Sequence, residues 1–232
     1  MGRPWHRAEV YRSDGHVRMG RPFMGSLRLF VTPTYRPERL CALTDGVYAI
    51  VLTLLVLDLK APEVPGLTDP QLRDDLLRQG PNVAAYLISF VAVSYFWIQH
   101  HRVFASIRKC DGRTVMLNFA HLLFISLTPY TASLIGHYEG DRVSAIVFSL
   151  ALGLASQAGI ILAQYVSKKA DWLVSDAEGV WVTLPWWNTH FAQLIAVLSI
   201  ALSFVTIEGG LLLWLLLPLR NVLVLRRLSG PR

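Results

Sequence analysis

Ionisable and hydrogen-bonding side chains stand inside apolar stretches at only a few places in this chain. Arg39, Thr44 and Asp45 open the run RLCALTDGVYAIVLTLLVLDL. His100 and His101 close a second run, and His121, His137 and His190 fall in or beside others. Charge in such a run is costly and turns toward protein or water, so each position is a candidate site. Three chemistries use residues of these types: a metal centre, a proton relay and an ion pathway. Spacing argues against the first, because there is no HExxH, and the adjacent His100 and His101 point to different helix faces. Cys41 and Cys110 lack ligand or CxxC spacing and are expected to stay reduced and inert. With no GxSxG, P-loop or GxGxxG, the sequence predicts neither enzyme nor cofactor.

The elements that must position these residues are membrane helices. Of 232 residues, 53% are hydrophobic and only 16% charged, and several apolar runs exceed the ~18 residues that mark a transmembrane candidate. Six spans are expected, at about 39–59, 81–107, 114–136, 143–166, 187–207 and 210–225. Basic residues test the orientation. Those of the arm, Arg108/Lys109/Arg113, Lys168/Lys169 and Arg226/Arg227 all fall on one side. The other side holds Lys60, Arg73 and Arg78 among acids, then Arg142. Positive-inside bias therefore places both termini in the cytoplasm.

The net charge of +6 lies largely in the arm, from Arg3 to Arg36. An arm beside a membrane helix sets topology and touches anionic lipid, so no nucleic-acid partner is expected. The domain reading is an arm over 1–37, poorly ordered and without an apolar signal region, a six-helix unit over 38–227 and a tail over 228–232. Trp181, Trp186 and Trp187 read as an interfacial belt, and Arg220 as a snorkelling residue near the end of the sixth span. Ala151, Ala155 and Gly159 form a small-residue ridge for close helix packing.

The first span carries Arg39, then Leu43-Thr44-Asp45-Gly46, and continues VYAIVLTLLVLDLKAPE. It resembles the arginine, three residues, Phe-Ser-Asp signature of the transmembrane protein 175 potassium-channel family. SYFWIQHHRVF (residues 94–104) and LNFAHLLFISLTPYTASLIGHY (residues 117–138) resemble later segments of that family in the same order. Leu43 and Thr44 depart from its Phe and Ser, and Thr44 keeps the hydroxyl. The resemblance implies a potassium-permeable channel of the cell membrane. Its first helix lines a central pore, and single-repeat members assemble as homotetramers. It also implies that Ile50 matches the family's narrow constriction, with Thr53 and Leu57 one and two turns further on.

The residues alone say that Ile50, Thr53 and Leu57 share one helix face. With no TVGYG-like segment, selectivity would have to come from side chains. Apolar residues in a membrane helix more often face lipid or other helices. Asp45 is expected to bond Trp97 or a histidine of the second helix, with Arg39, Thr44, Gly46 and His101 completing a supporting network. Asp58 either pairs with Lys60 or concentrates cations at the outer mouth. The rival reading is a secondary or proton-coupled carrier using Asp45 and the histidines, although the two halves share no repeat.

Overall fold

A computed structural model describes residues 35–62, 66–172 and 189–219, and among these the chain is all-helical. The basic arm before Tyr35, the Trp181/Trp186/Trp187 belt and Arg220 lie outside the described residues. Helix α1 runs Pro37–Leu54, with Pro37 and Glu38 in a first turn that tolerates a missing N–H and favours negative charge. It tightens into a 3-10 turn over Leu55–Asp58. After it come α2 (Asp69–Arg78), α3 (Gly80–Ala105), α4 (Gly112–Ser126), α5 (Thr128–His137), α6 (Arg142–Ser167), α7 (Phe191–Leu202) and α8 (Ile207–Leu212).

Caps fix the boundaries. Asp111 accepts the Thr114 N–H at 2.8 Å to start α4, and Asp141 accepts the Val143 N–H at 2.6 Å to start α6. Four segments are long and apolar enough to cross a bilayer: Pro37–Asp58, Gly80–Ala105, Gly112–His137 and Arg142–Ser167. They coincide with the first four expected spans. Two shorter apolar helices, Phe191–Leu202 and Ile207–Leu219, overlap the fifth and sixth expected spans, and the expected sixth span extends to residues outside the described ones.

The third span is broken where the apolar pattern gave a single helix. α4 stops at Ser126 and α5 restarts at Thr128, because Pro129 has no N–H to continue the ladder. The Thr131 hydroxyl bonds the Thr128 carbonyl at 3.1 Å within the first turn of α5. The amphipathic α2 also falls in what reads as a loop. Its start was legible in Thr68-Asp69-Pro70-Gln71, where the Gln71 side chain accepts the Thr68 N–H at 3.0 Å.

α6 sits at the centre, packed on α4, α5 and α7, with 56% of its apolar window buried. The ridge of Ala151, Ala155 and Gly159 makes this close approach possible. A Cβ on Gly159 would stand 3.3 Å from His121 Nδ1. α1 lies at the edge of the helical bundle, with only 28% of its window buried. Tyr48, Val51 and Leu55 are its contribution to the main core, beside Ala92, Val93 and Phe96 of α3 and Ile125 of α4.

Candidate functional site: the two faces of helix α1

Three side chains on the inner side of α1 are held by hydrogen bonds to α3 and α4. Thr44, fully buried, accepts from Asn118 Nδ2 at 2.9 Å, and Asn118 Oδ1 faces His100 Nε2 at 2.7 Å. Since the Asn118 carbonyl oxygen only accepts, His100 carries its proton on Nε2. Asp45 Oδ1 accepts from the Trp97 indole N–H at 2.8 Å. Tyr48, 1% exposed, meets His121 Nε2 at 2.6 Å. The other nitrogen of that ring, Nδ1, lies 2.8 Å from the Ala155 carbonyl, so it bears the proton and the Tyr48 hydroxyl donates to Nε2.

The imidazoles of His100 and His121 stack with centroids 5.8 Å apart, and His100 also stacks on Phe104 at 4.4 Å. One continuous polar seam therefore crosses α1, α3, α4 and α6 at the level of Thr44 to Tyr48. Behind it, a cavity of about 560 Å³ between α3, α4, α6 and α7 reaches both rings.

His101 is exposed and takes part only by stacking on Trp97, with centroids 5.4 Å apart. Gly46 is exposed, and a Cβ there would meet nothing within 4 Å. Arg39 departs from the expected closing of the network. It is exposed at the start of α1 and bonds nothing among the described residues. Six residues turn it well away from Asp45, and the carboxylate is already engaged by the indole. Asp58 also departs from the pairing with Lys60, because it accepts from Ser133 Oγ on α5 at 3.1 Å. α1 is thus bonded at its middle and in the 3-10 turn that follows it.

The outer face is different in kind. Ile50 is 59% exposed and Leu57 66%, and Thr53 is exposed between them. The Thr53 hydroxyl bonds back to the Ala49 and Ile50 carbonyls at 3.0 and 2.9 Å, which spends its proton and leaves oxygen lone pairs outward. Sequence reasoning missed Tyr48 and Asn118. A tyrosine four residues from Thr44 and an asparagine three residues from His121, each on the inner periodicity, were the available signals.

Among the described residues, no group of three His, Cys, Asp or Glu is placed to hold a metal ion. Cys110 is buried between α3 and α4, and burial pushes its thiol up to about 11.

Fold and site define a multi-pass membrane protein whose polar residues fix one edge helix. Residues 39–129 match the family model described as endosomal/lysosomal potassium channel TMEM175. A potassium channel of Streptomyces collinus is 35% identical over 127 residues, 52% of this chain and 61% of that relative. The endosomal/lysosomal proton channel TMEM175 of Gallus gallus is 37% identical over 127 residues, 47% of this chain and 25% of that relative. The match thus spans less than two thirds of either relative's own length. The crystal structure of a lysosomal potassium-selective channel TMEM175 homolog from Chamaesiphon minutus shares the fold. Its TM-score is 0.68 at 23% identity, covering 81% of this chain and 97% of that one.

Proposed function

We propose that this protein is a potassium-permeable channel of the cell membrane, assembled from four copies with α1 of each around a central pore. The observation that carries the reading is the outer face of α1. A stripe of Ile50, Thr53 and Leu57 lies open on the least buried span of the protomer, while the opposite side is bonded in place. The Streptomyces collinus relative named a potassium channel supports the choice of ion.

Four Ile50 side chains aimed at one axis form a narrow, dry neck. An ion passes it only by shedding much of its hydration, which potassium does at lower cost than sodium. The Thr53 oxygens one turn further on are the nearest replacement ligands. Thr44, Asp45, Trp97 and His101 act at a distance, by holding α1 at one rotation, and Gly46 by leaving room beside it.

The test is the reversal potential of purified protein in planar bilayers under opposed potassium and sodium gradients, with the oligomer's mass measured in parallel. A reversal near the potassium equilibrium potential supports the channel. A carrier would instead give flux that saturates at carrier-like turnover. A second reading, proton permeation, is favoured by the cavity that reaches His100 and His121 and by the name of the Gallus gallus relative. A reversal potential that follows a proton gradient, with no potassium dependence, would select it.

A further inference from the structure

Beyond the end of α6, basic side chains are gathered around two aromatic rings. Arg113 Cζ lies 4.9 Å from the centroid of the Tyr165 ring, and Lys169 Nζ lies 5.5 Å from the same centroid. Lys169 also stands 5.4 Å from the Trp172 ring. Two cations sharing one ring are no more than about 10 Å apart, so they repel each other unless an anion joins them.

The Tyr165 ring is held at its hydroxyl, and Trp172 through its backbone carbonyl. The Tyr165 hydroxyl donates to Asp111 Oδ2 at 2.5 Å. The Arg108 N–H donates to the Trp172 carbonyl at 2.9 Å, and its Nε to the Asp171 carbonyl at 3.4 Å. The turn between α3 and α4 is thereby tied to the 3-10 turn Ala170–Trp172 after α6. The cations thus lie against aromatic rings carried by two turns that are bonded to each other.

Two carboxylates lie close by, and neither forms a salt bridge with these cations. The one ion pair among the described residues is Arg73 with Asp74, on α2. Asp111 Oδ1 takes the Thr114 N–H and hydroxyl, and Oδ2 takes Tyr165. Burial pushes the Asp111 carboxyl up, but the bonds from Tyr165 and Thr114, with Lys169 nearby, outweigh it and hold it below the ordinary carboxylate range. Asp171 is exposed and contributes its carbonyl to Arg108. Against them stand Arg108, Lys109, Arg113, Lys168 and Lys169, an excess of positive charge left without a partner ion.

Position narrows the counter-ion. α6 crosses the apolar layer over Arg142–Ser167, so Lys168 to Trp172 emerge at headgroup level. An amphipathic Trp and Tyr are suited to that depth, and basic clusters there attract anionic lipid. We propose that the shelf formed by Arg113, Tyr165, Lys169 and Trp172 binds the phosphate headgroup of an anionic phospholipid. Arg113 and Lys169 are its cationic ligands, and Arg108 locks the two turns that carry them. The site requires only that the chain sits in a bilayer, and it stands or falls separately from potassium permeation.

The experiment is native mass spectrometry of the full chain in non-ionic detergent. It is titrated with phosphatidylglycerol or phosphatidylcholine of matched acyl chains. Phosphatidylglycerol is expected to be retained preferentially, and Arg113→Gln with Lys169→Gln should weaken it by roughly thirtyfold, about a factor of five per cation. Arg73→Gln with Arg78→Gln on α2, an equal loss of charge, should leave retention unchanged, as should the charge-preserving pair Arg113→Lys with Lys169→Arg. Equal retention of the two lipids by the unaltered protein would overturn the proposal, and so would an equal fall in the α2 pair. Displacement of the lipid by millimolar inorganic phosphate that is itself retained would also overturn it, by showing a soluble-anion site.

Discussion

The two sides of α1 invert the arrangement of a water-soluble helix. Thr44 and Tyr48 turn inward with their hydroxyls bonded to α4, while Ile50, Leu54 and Leu57 turn outward with large apolar surfaces open. In lipid, an apolar side chain gains little by hiding, so hydrogen bonds and close packing decide which face is inside. The difference separates two tasks within one helix. The inner face determines where α1 stands, and the outer face is free to be chosen for what it meets there.

That separation is best tested by substitutions on either side. His121→Ala attacks the inner face at its most connected point. It removes the partner of Tyr48 and opens a void beside Ala155, so unfolding in detergent should show a loss of about 3 kcal/mol. An unchanged unfolding midpoint would mean that the seam does not hold the fold. On the outer face, Ile50→Asn should lower the potassium-over-sodium permeability ratio by about tenfold, or ~1.4 kcal/mol. Its unfolding midpoint should move by less than about 0.5 kcal/mol, because the side chain makes few contacts within the protomer. Retained selectivity would remove Ile50 from the pore.

Asp45→Ala lies between the two in expected effect. It frees the Trp97 indole at a site open to the protomer surface, with a cost of about 1 kcal/mol per protomer and a lower yield of assembled protein. Normal yield and conductance would show that this bond fixes nothing. Thr53→Val should do least to the fold, below about 0.5 kcal/mol, since its hydroxyl only doubles bonds that the helix already makes. A clear fall in single-channel current with that stability unchanged would place the Thr53 oxygen on the ion path.

Much of this comparison was visible in the sequence. Hydropathy located the first four spans because length and composition suffice for that, and the LTDG segment singled out α1 as unusual. The bonding partners were harder. Asp45 could reach Trp97 or a histidine at matching depth, and only the rotation of α3 decides between them. His100 and His101 are neighbours in sequence, yet one is buried against Asn118 and the other stacks outside on Trp97. Asn118 escaped notice because one amide in an apolar run looks like any tolerated polar residue until Thr44 and His100 are seen on either side of it. Pro129 was a readable breaker, but the hydropathy of the third span does not fall there, so the interruption was lost in the average.

Asp45 with Trp97 at the middle of α1, and Asp58 with Ser133 in the 3-10 turn that follows it, leave Ile50 and Thr53 between two bearings. In a four-fold ring, aperture then becomes a matter of torsion. A side-chain tip stands about 6 Å from its helix axis, so a twist of about 20° sweeps it through about 2 Å. That is the scale on which a bare ion differs from a hydrated one. In the proposed ring the width of the neck would be set by hydrogen bonds that no ion touches, and a helix released at one bearing would lose its calibration before it lost its fold.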